Sequence, residues 1–181
     1  MSMRTTAVLV ALLFLTSTAS FAAGSSLIDT HFAGALLVGY TGLAVVGIGA
    51  ALFPVLKPYG QGLATGYLVL RTGECLVLLV AAADVAASGT YELLVYAFSG
   101  VGGLALSGLL LRSGLVPRWL ATLGIVGYAA LLAGVVSDLL GLSRLDSGIG
   151  VAFYVPGGLF ELALPLLLLV KGFTRAESVR R

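Results

Sequence analysis

One cysteine, one histidine and one tryptophan stand in a chain of 181 residues. The lone Cys75 excludes an intramolecular disulfide and any cysteine-clustered zinc or iron–sulfur centre. It lies in an apolar run and reads as a buried small hydrophobe. The lone His31 excludes a bis-histidine haem or a histidine-ligated metal site built from this chain alone. No metal and no cofactor are expected. Charge is the next scarcity: Asp, Glu, Lys and Arg make up 10% of the residues, where an average soluble domain carries about 25%. So few charges cannot cover a soluble surface, which excludes a large soluble domain. Long polar connectors are missing too, since neither Lys57–Gly60 nor Gly141–Gly148 has room for a catalytic domain. No nucleic-acid partner is expected.

Apolar residues are abundant, at 59% of the chain with a mean hydropathy of +1.10. They fall in six stretches, at about 5–27, 32–56, 62–87, 93–111, 119–140 and 149–170. A bilayer crossing takes about 20 apolar residues as helix, so each stretch is long enough to span. The expectation is an all-α, polytopic membrane protein, a single integral membrane domain over 1–181 forming a six-helix bundle. Arg4, the run Ala7–Leu15 and Ser20-Phe21-Ala22 also resemble a secretory signal peptide. Cleavage there would leave five spans, but the apolar run continues beyond that point and favours a retained helix.

Six spans place Arg4, Lys57, Arg112, Arg118, Lys171, Arg175, Arg180 and Arg181 on one side of the membrane. Only Arg144 falls on the other, while Arg71 lies within a span. Cytoplasmic loops carry the excess of lysine and arginine, so both termini are expected to be cytoplasmic. The acids Asp29, Asp84, Glu92, Asp138 and Asp146 follow the reverse bias. Asp84 and Asp138 read as markers of outer helix ends, and His31 beside Asp29 as a solvated loop residue. Trp119 beside Arg118 fits an interfacial anchor, and the basic C-terminal segment a lipid-headgroup anchor.

Glycine occurs 25 times, more than turns require. Thr16/Ser20/Gly24 and Ser99/Gly103/Ser107 are small residues at four-residue spacing, each set on one helical face. Such faces let backbones approach closely, first of all within the bundle and otherwise at a dimer interface. Gly100-Val101-Gly102-Gly103 lies inside an apolar span and follows no strand, so it is no nucleotide-binding loop.

Three ionisable residues fall deep in the spans: Arg71, Glu74 and Glu161. At the helical rise, Arg71 and Glu161 lie roughly 13–15 Å from the basic side, with Glu74 about 4–5 Å further out. Arg71 and Glu74 are three residues apart and share one helical face. An isolated charge there costs at least about 2.5–3.5 kcal/mol, so all three should face the interior as an Arg71-centred pair of carboxylates. The sixth span adds Pro156, Gly157, Gly158 and Pro165 as candidates for helix kinks. Pro165 deprives the Glu161 carbonyl of its helical donor, and Pro156 does the same at Ala152. Broken helices mark midplane binding sites in transporters, whereas buried ion pairs also simply pin helices together. No nucleophile–base–acid set occurs, and no catalytic residue is assigned; an enzyme is not expected.

Two stretches resemble a bacterial membrane family, domain of unknown function 4386. Leu111-Arg112-Ser113-Gly114-Leu115-Val116-Pro117-Arg118-Trp119-Leu120, running into Gly124, resembles the family's inner loop. Glu161-Leu162-Ala163-Leu164 through Leu169-Val170-Lys171-Gly172-Phe173 resembles its closing helix, and Arg71-x-x-Glu74 fits its third. Pro165 departs from the apolar or aromatic residue expected there. The resemblance implies six helices in the bacterial inner membrane and no particular activity. The expected function is to bind or relay a proton, ion or small polar ligand at Arg71, Glu74 and Glu161, in transport or sensing. The alternative is an accessory subunit of a larger membrane complex, with the same residues as a staple. Expected partners are the lipid bilayer and either further copies of the chain or other membrane subunits.

Overall fold

The structure, a computed structural model, describes residues 2–83, 90–145 and 147–174. Asp84, Asp146, Arg175, Arg180, Arg181 and the expected end of the third span at 84–87 lie outside these residues. The described chain is all helical. It comprises α1 (Met3–Leu27), α2 (Phe32–Leu56), α3 (Gln61–Ala83), α4 (Thr90–Ser113), α5 (Arg118–Leu139) and α6 (Val155–Val170). Ser2 caps α1 by accepting the Thr5 N–H on its Oγ at 3.1 Å. A 3₁₀ turn at Lys57–Tyr59 carries Pro58 in its first turn and joins α2 to α3. Six segments are long and apolar enough to cross a membrane. Large apolar side chains are exposed around the bundle, as a lipid-facing surface requires, and Trp119 is 61% exposed at the start of α5.

The sixth span departs from the expected continuous helix. It is built in two pieces, a 3₁₀ segment at Gly148–Phe153 and then α6, with Tyr154 as the joint. Pro156 therefore does not kink a helix. It occupies the first turn of α6, where its missing N–H is no loss and its fixed φ suits the start. Pro165 does lie inside α6, buried, opposite the Glu161 carbonyl.

Each helix packs against its neighbours in sequence, and α6 returns to α1, so the six form a closed ring. Arg4 fastens that closure. Its Nη2 donates to the Leu169 carbonyl at 2.6 Å and its Nη1 to Leu168 at 3.3 Å. Both carbonyls lie in the last turn of α6, where a cation suits the negative end of the helix dipole. The Thr174 N–H reaches the Leu115 carbonyl at 2.8 Å, so the first and last described residues and the α4–α5 loop share one end of the bundle. Arg4, Lys57, Arg112, Arg118 and Lys171 gather there by the topology of the ring.

The small-residue faces serve the ring itself. Gly24 lets α1 approach Leu37 and Val38 of α2, and Thr16 Oγ1 shares a 2.7 Å hydrogen bond with Tyr40 Oη. On α4, a Cβ at Gly103 would collide with the Tyr128 ring of α5. Gly127 of α5 meets the backbone of α6, since its Cβ would lie 2.6 Å from the Gly157 nitrogen. A side chain at Gly127 would bar that crossing, whereas a Cβ at Gly157 would make only ordinary contact with Gly127.

In the half of the ring at the termini, the axis is filled. Val10, Leu52, Leu56, Leu109, Leu164 and Leu168 are all buried in one apolar cluster, closed above by Tyr67 and Phe160. Cys75 is buried in a smaller cluster with Val38, Val45, Leu78 and Val95, as its apolar setting implies.

Candidate functional site

Above Tyr67 and Phe160 the axis opens into a cavity of about 310 Å³, to which all six helices contribute. Short side chains leave the space: Ser17 and Thr18 from α1, Thr41 from α2, Ser99 from α4, and Gly157 and Gly158 from α6. A Cβ at Gly158 would meet nothing within 4 Å, so its missing side chain keeps volume open. Of the two glycines expected to ease a bend, one makes a close crossing and the other makes room.

Arg71, Glu74 and Glu161 all line this cavity. Arg71 and Glu74 are 2% and 3% exposed, and Arg71 Nη1 lies 2.6 Å from Glu74 Oε2. The same Nη1 reaches Ser99 Oγ at 3.3 Å, and Nε donates to Tyr67 Oη at 3.2 Å. Arg71 thereby ties α3 to α4. Its Nη2 is buried with no hydrogen-bond partner, as is Ser107 Oγ.

Glu161 is held differently. The Tyr128 hydroxyl donates to its Oε1 at 3.0 Å, and Thr18 Oγ1 donates to its Oε2 at 3.5 Å. The Arg71-centred pair of carboxylates is therefore corrected to a single ion pair, Arg71–Glu74, plus a separate carboxylate bound by two neutral hydroxyls. The physical reason is local. The i, i+3 spacing lets the guanidinium fold onto Glu74 within its own helix, and Glu161 is met first by α5 and α1. Tyr128 is itself fixed by Phe160, edge to face at 5.6 Å between ring centres, and by the flat face that Gly103 provides.

Away from the termini, aromatic side chains surround the cavity. Phe21 meets Tyr96 edge to face at 6.0 Å, and Tyr96 stacks on Tyr154 at 6.2 Å. This trio links α1, α4 and the joint before α6. Counted along α6, Tyr154 lies about 10 Å outward of Glu161. Floor and rim are thus chemically distinct, charged below and aromatic above.

Sequence reasoning found the three ionisable residues and missed their partners. Tyr128 left a signal, because a phenol deep in an apolar span needs an acceptor. Thr18 and Ser99 left none, since hydroxyls in spans commonly bond their own helix carbonyls, as Thr16 and Ser17 do here. Asp138, read as a marker of an outer helix end, has a further part: its Oδ2 accepts the Leu145 N–H at 2.7 Å and holds the loop after α5. Among the described residues no group of His, Cys, Asp and Glu could hold a metal ion.

A closed ring of six membrane-length helices around a polar-floored chamber defines a small polytopic membrane protein. The family described as Domain of unknown function (DUF4386) matches residues 81–172, just over half of the chain, and the protein belongs to it. The matched segment holds Tyr128, Tyr154 and Glu161, whereas Arg71 and Glu74 precede it. No curated protein and no solved structure matches the chain.

Proposed function

We propose that the protein binds a small molecule in the central chamber, with the basic end of the bundle facing the bacterial cytoplasm. One observation carries the reading: the chamber, drawn from all six helices, ends on Arg71, Glu74, Tyr128 and Glu161. Its volume of about 310 Å³ falls within the range of ligand sites, about 300–1,000 Å³, which are largely apolar with a few convergent polar groups. Ionisable groups at such depth are costly in a membrane and belong to functional sites by default. The filled half beneath the chamber supports access from the face opposite the termini, and the excess of lysine and arginine supports the orientation. Binding from that face serves a sensor directly, and a transporter as its outward-facing state. The small-residue faces of α1 and α4 are used within the ring at Gly24 and Gly103, whereas Gly62 and Gly66 of α3 face open space and are the place where an accessory subunit would dock.

The test is a Gly158→Cys variant in a Cys75→Ser background, treated with membrane-impermeant thiol reagents on intact cells and on inverted vesicles. Leu142, 76% exposed in the α5–α6 connection, supplies the reference site as Leu142→Cys. Modification of both variants in intact cells is the expected result. Modification of Leu142→Cys alone, from either face, rejects an accessible chamber.

A further inference from the structure

We propose that the chamber takes an organic monocation, its charged nitrogen against the Glu161 carboxylate and its apolar body against the aromatic rim. This rests on the chamber reading above and adds the chemistry of the occupant. The first argument is charge. Arg71 is the single basic residue among the described residues that line the cavity, and it stands 2.6 Å from Glu74. That pair cancels. Glu161 is left with two neutral donors, Tyr128 and Thr18, and no cation within salt-bridge distance among the described residues. Ionised, Glu161 leaves the floor with one negative charge that no ion pair balances, in surroundings where such a charge is expensive until a proton or a cation neutralises it. A bound cation removes that cost.

The second argument is the wall. Phe21, Tyr96 and Tyr154 stand on the rim, with Phe14, Val45 and Ile48 below them. Ring faces attract cations, best of all when both are desolvated, and apolar walls suit the carbon substituents of an amine or quaternary ammonium. An inorganic cation would need about six oxygen ligands, and one carboxylate with a few scattered hydroxyls does not supply them. An anion would meet Glu161 as well as Arg71, whose charge Glu74 already balances although its Nη2 has no hydrogen-bond partner. Charge and wall select the same chemical class.

Two thiol reagents of opposite charge, methanethiosulfonates bearing trimethylammonium or sulfonate, test this on the purified full chain once each rate is divided by that reagent's rate at the reference site. Each modifies Gly158→Cys, with Leu142→Cys as the reference for intrinsic rate. The expected result is a preference for the cationic reagent on the order of tenfold at Gly158→Cys over the reference, from focusing of charge in a cleft. Benzyltrimethylammonium should slow that modification, and Glu161→Gln should bring the preference to that of Leu142→Cys while Glu161→Asp keeps it. Should Glu161→Gln fail to fold, the preference and the protection with Glu161 intact decide the matter. A preference no larger than that at Leu142→Cys, or no protection, overturns the cation assignment and leaves the chamber in place. Silence of Gly158→Cys toward both reagents overturns the chamber and this inference together.

Discussion

The half of the ring at the termini and the half away from them use the same fold, yet one is filled and the other hollow. Towards the termini, Leu52 and Leu56 of α2, Leu109 of α4, and Leu164 and Leu168 of α6 reach the axis and interdigitate. Away from the termini, the axial positions carry Ser17, Thr18, Thr41, Ser99 and Gly158, too short to meet across the ring. The backbone closes in the same way in both halves, through neighbour-to-neighbour packing. Side-chain length at the axis makes the difference. The chamber is a property of a few short residues on α1, α2, α4 and α6.

The comparison can be broken most forcefully where the two halves meet. Arg71→Met should cost about 3–5 kcal/mol, because it leaves Glu74 buried without its partner. Thermal unfolding in detergent measures this, and Arg71→Met/Glu74→Leu should restore most of the loss. A double variant as unstable as the single one would mean that the pair does more than compensate itself. Within the filled half, Phe160→Ala should cost about 3 kcal/mol, at the low end for a buried aromatic because the unfolded side chain meets lipid rather than water. Leu131→Ala, beside the chamber, should cost clearly less, since one side already faces open space. Equal losses at the two sites would deny the contrast between filled and hollow halves.

Two glycines sharpen the same contrast on a finer scale. Gly127→Ala places a methyl against the α6 backbone, which cannot rotate away, and should destabilise by about 1–3 kcal/mol. Gly158→Ala faces open space within α6 and should stabilise by about 0.5–1 kcal/mol through helix propensity alone. Opposite signs at two glycines on facing helices are the expected outcome of paired melting curves. The smallest effect belongs to Tyr40→Phe, which removes the hydrogen bond to exposed Thr16 and should cost about 0.5–1 kcal/mol.

Much of the scaffold is legible along the chain. Apolar run lengths give six helices whose ends differ by a few residues from those expected, as with 93–111 against Thr90–Ser113. The small-residue faces announce close packing, and Gly103 and Gly24 use it between neighbouring helices. The depth of Arg71, Glu74 and Glu161 announces an interior polar site, because hydrocarbon does not tolerate isolated charge. Pairing is what escapes such a reading. Helical spacing links Arg71 to Glu74, but nothing in the sequence says that Tyr128 and Thr18 reach Glu161 before Arg71 does. Pro156 escapes it likewise: a proline in an apolar run reads equally as a kink or as a first turn, and the register of the 3₁₀ segment decides between them.

Six bilayer-length helices, and the residues that must hide from lipid, are written into the order of the amino acids. Hydrophobicity and helical periodicity are local, so they can be read along one dimension. That the helices close into a ring, that one half of its axis is filled, and that Glu161 takes its hydrogen bonds from Tyr128 and Thr18 emerges on folding alone. Those features depend on how far side chains from different helices reach towards a common axis, and that distance exists only once the ring has closed.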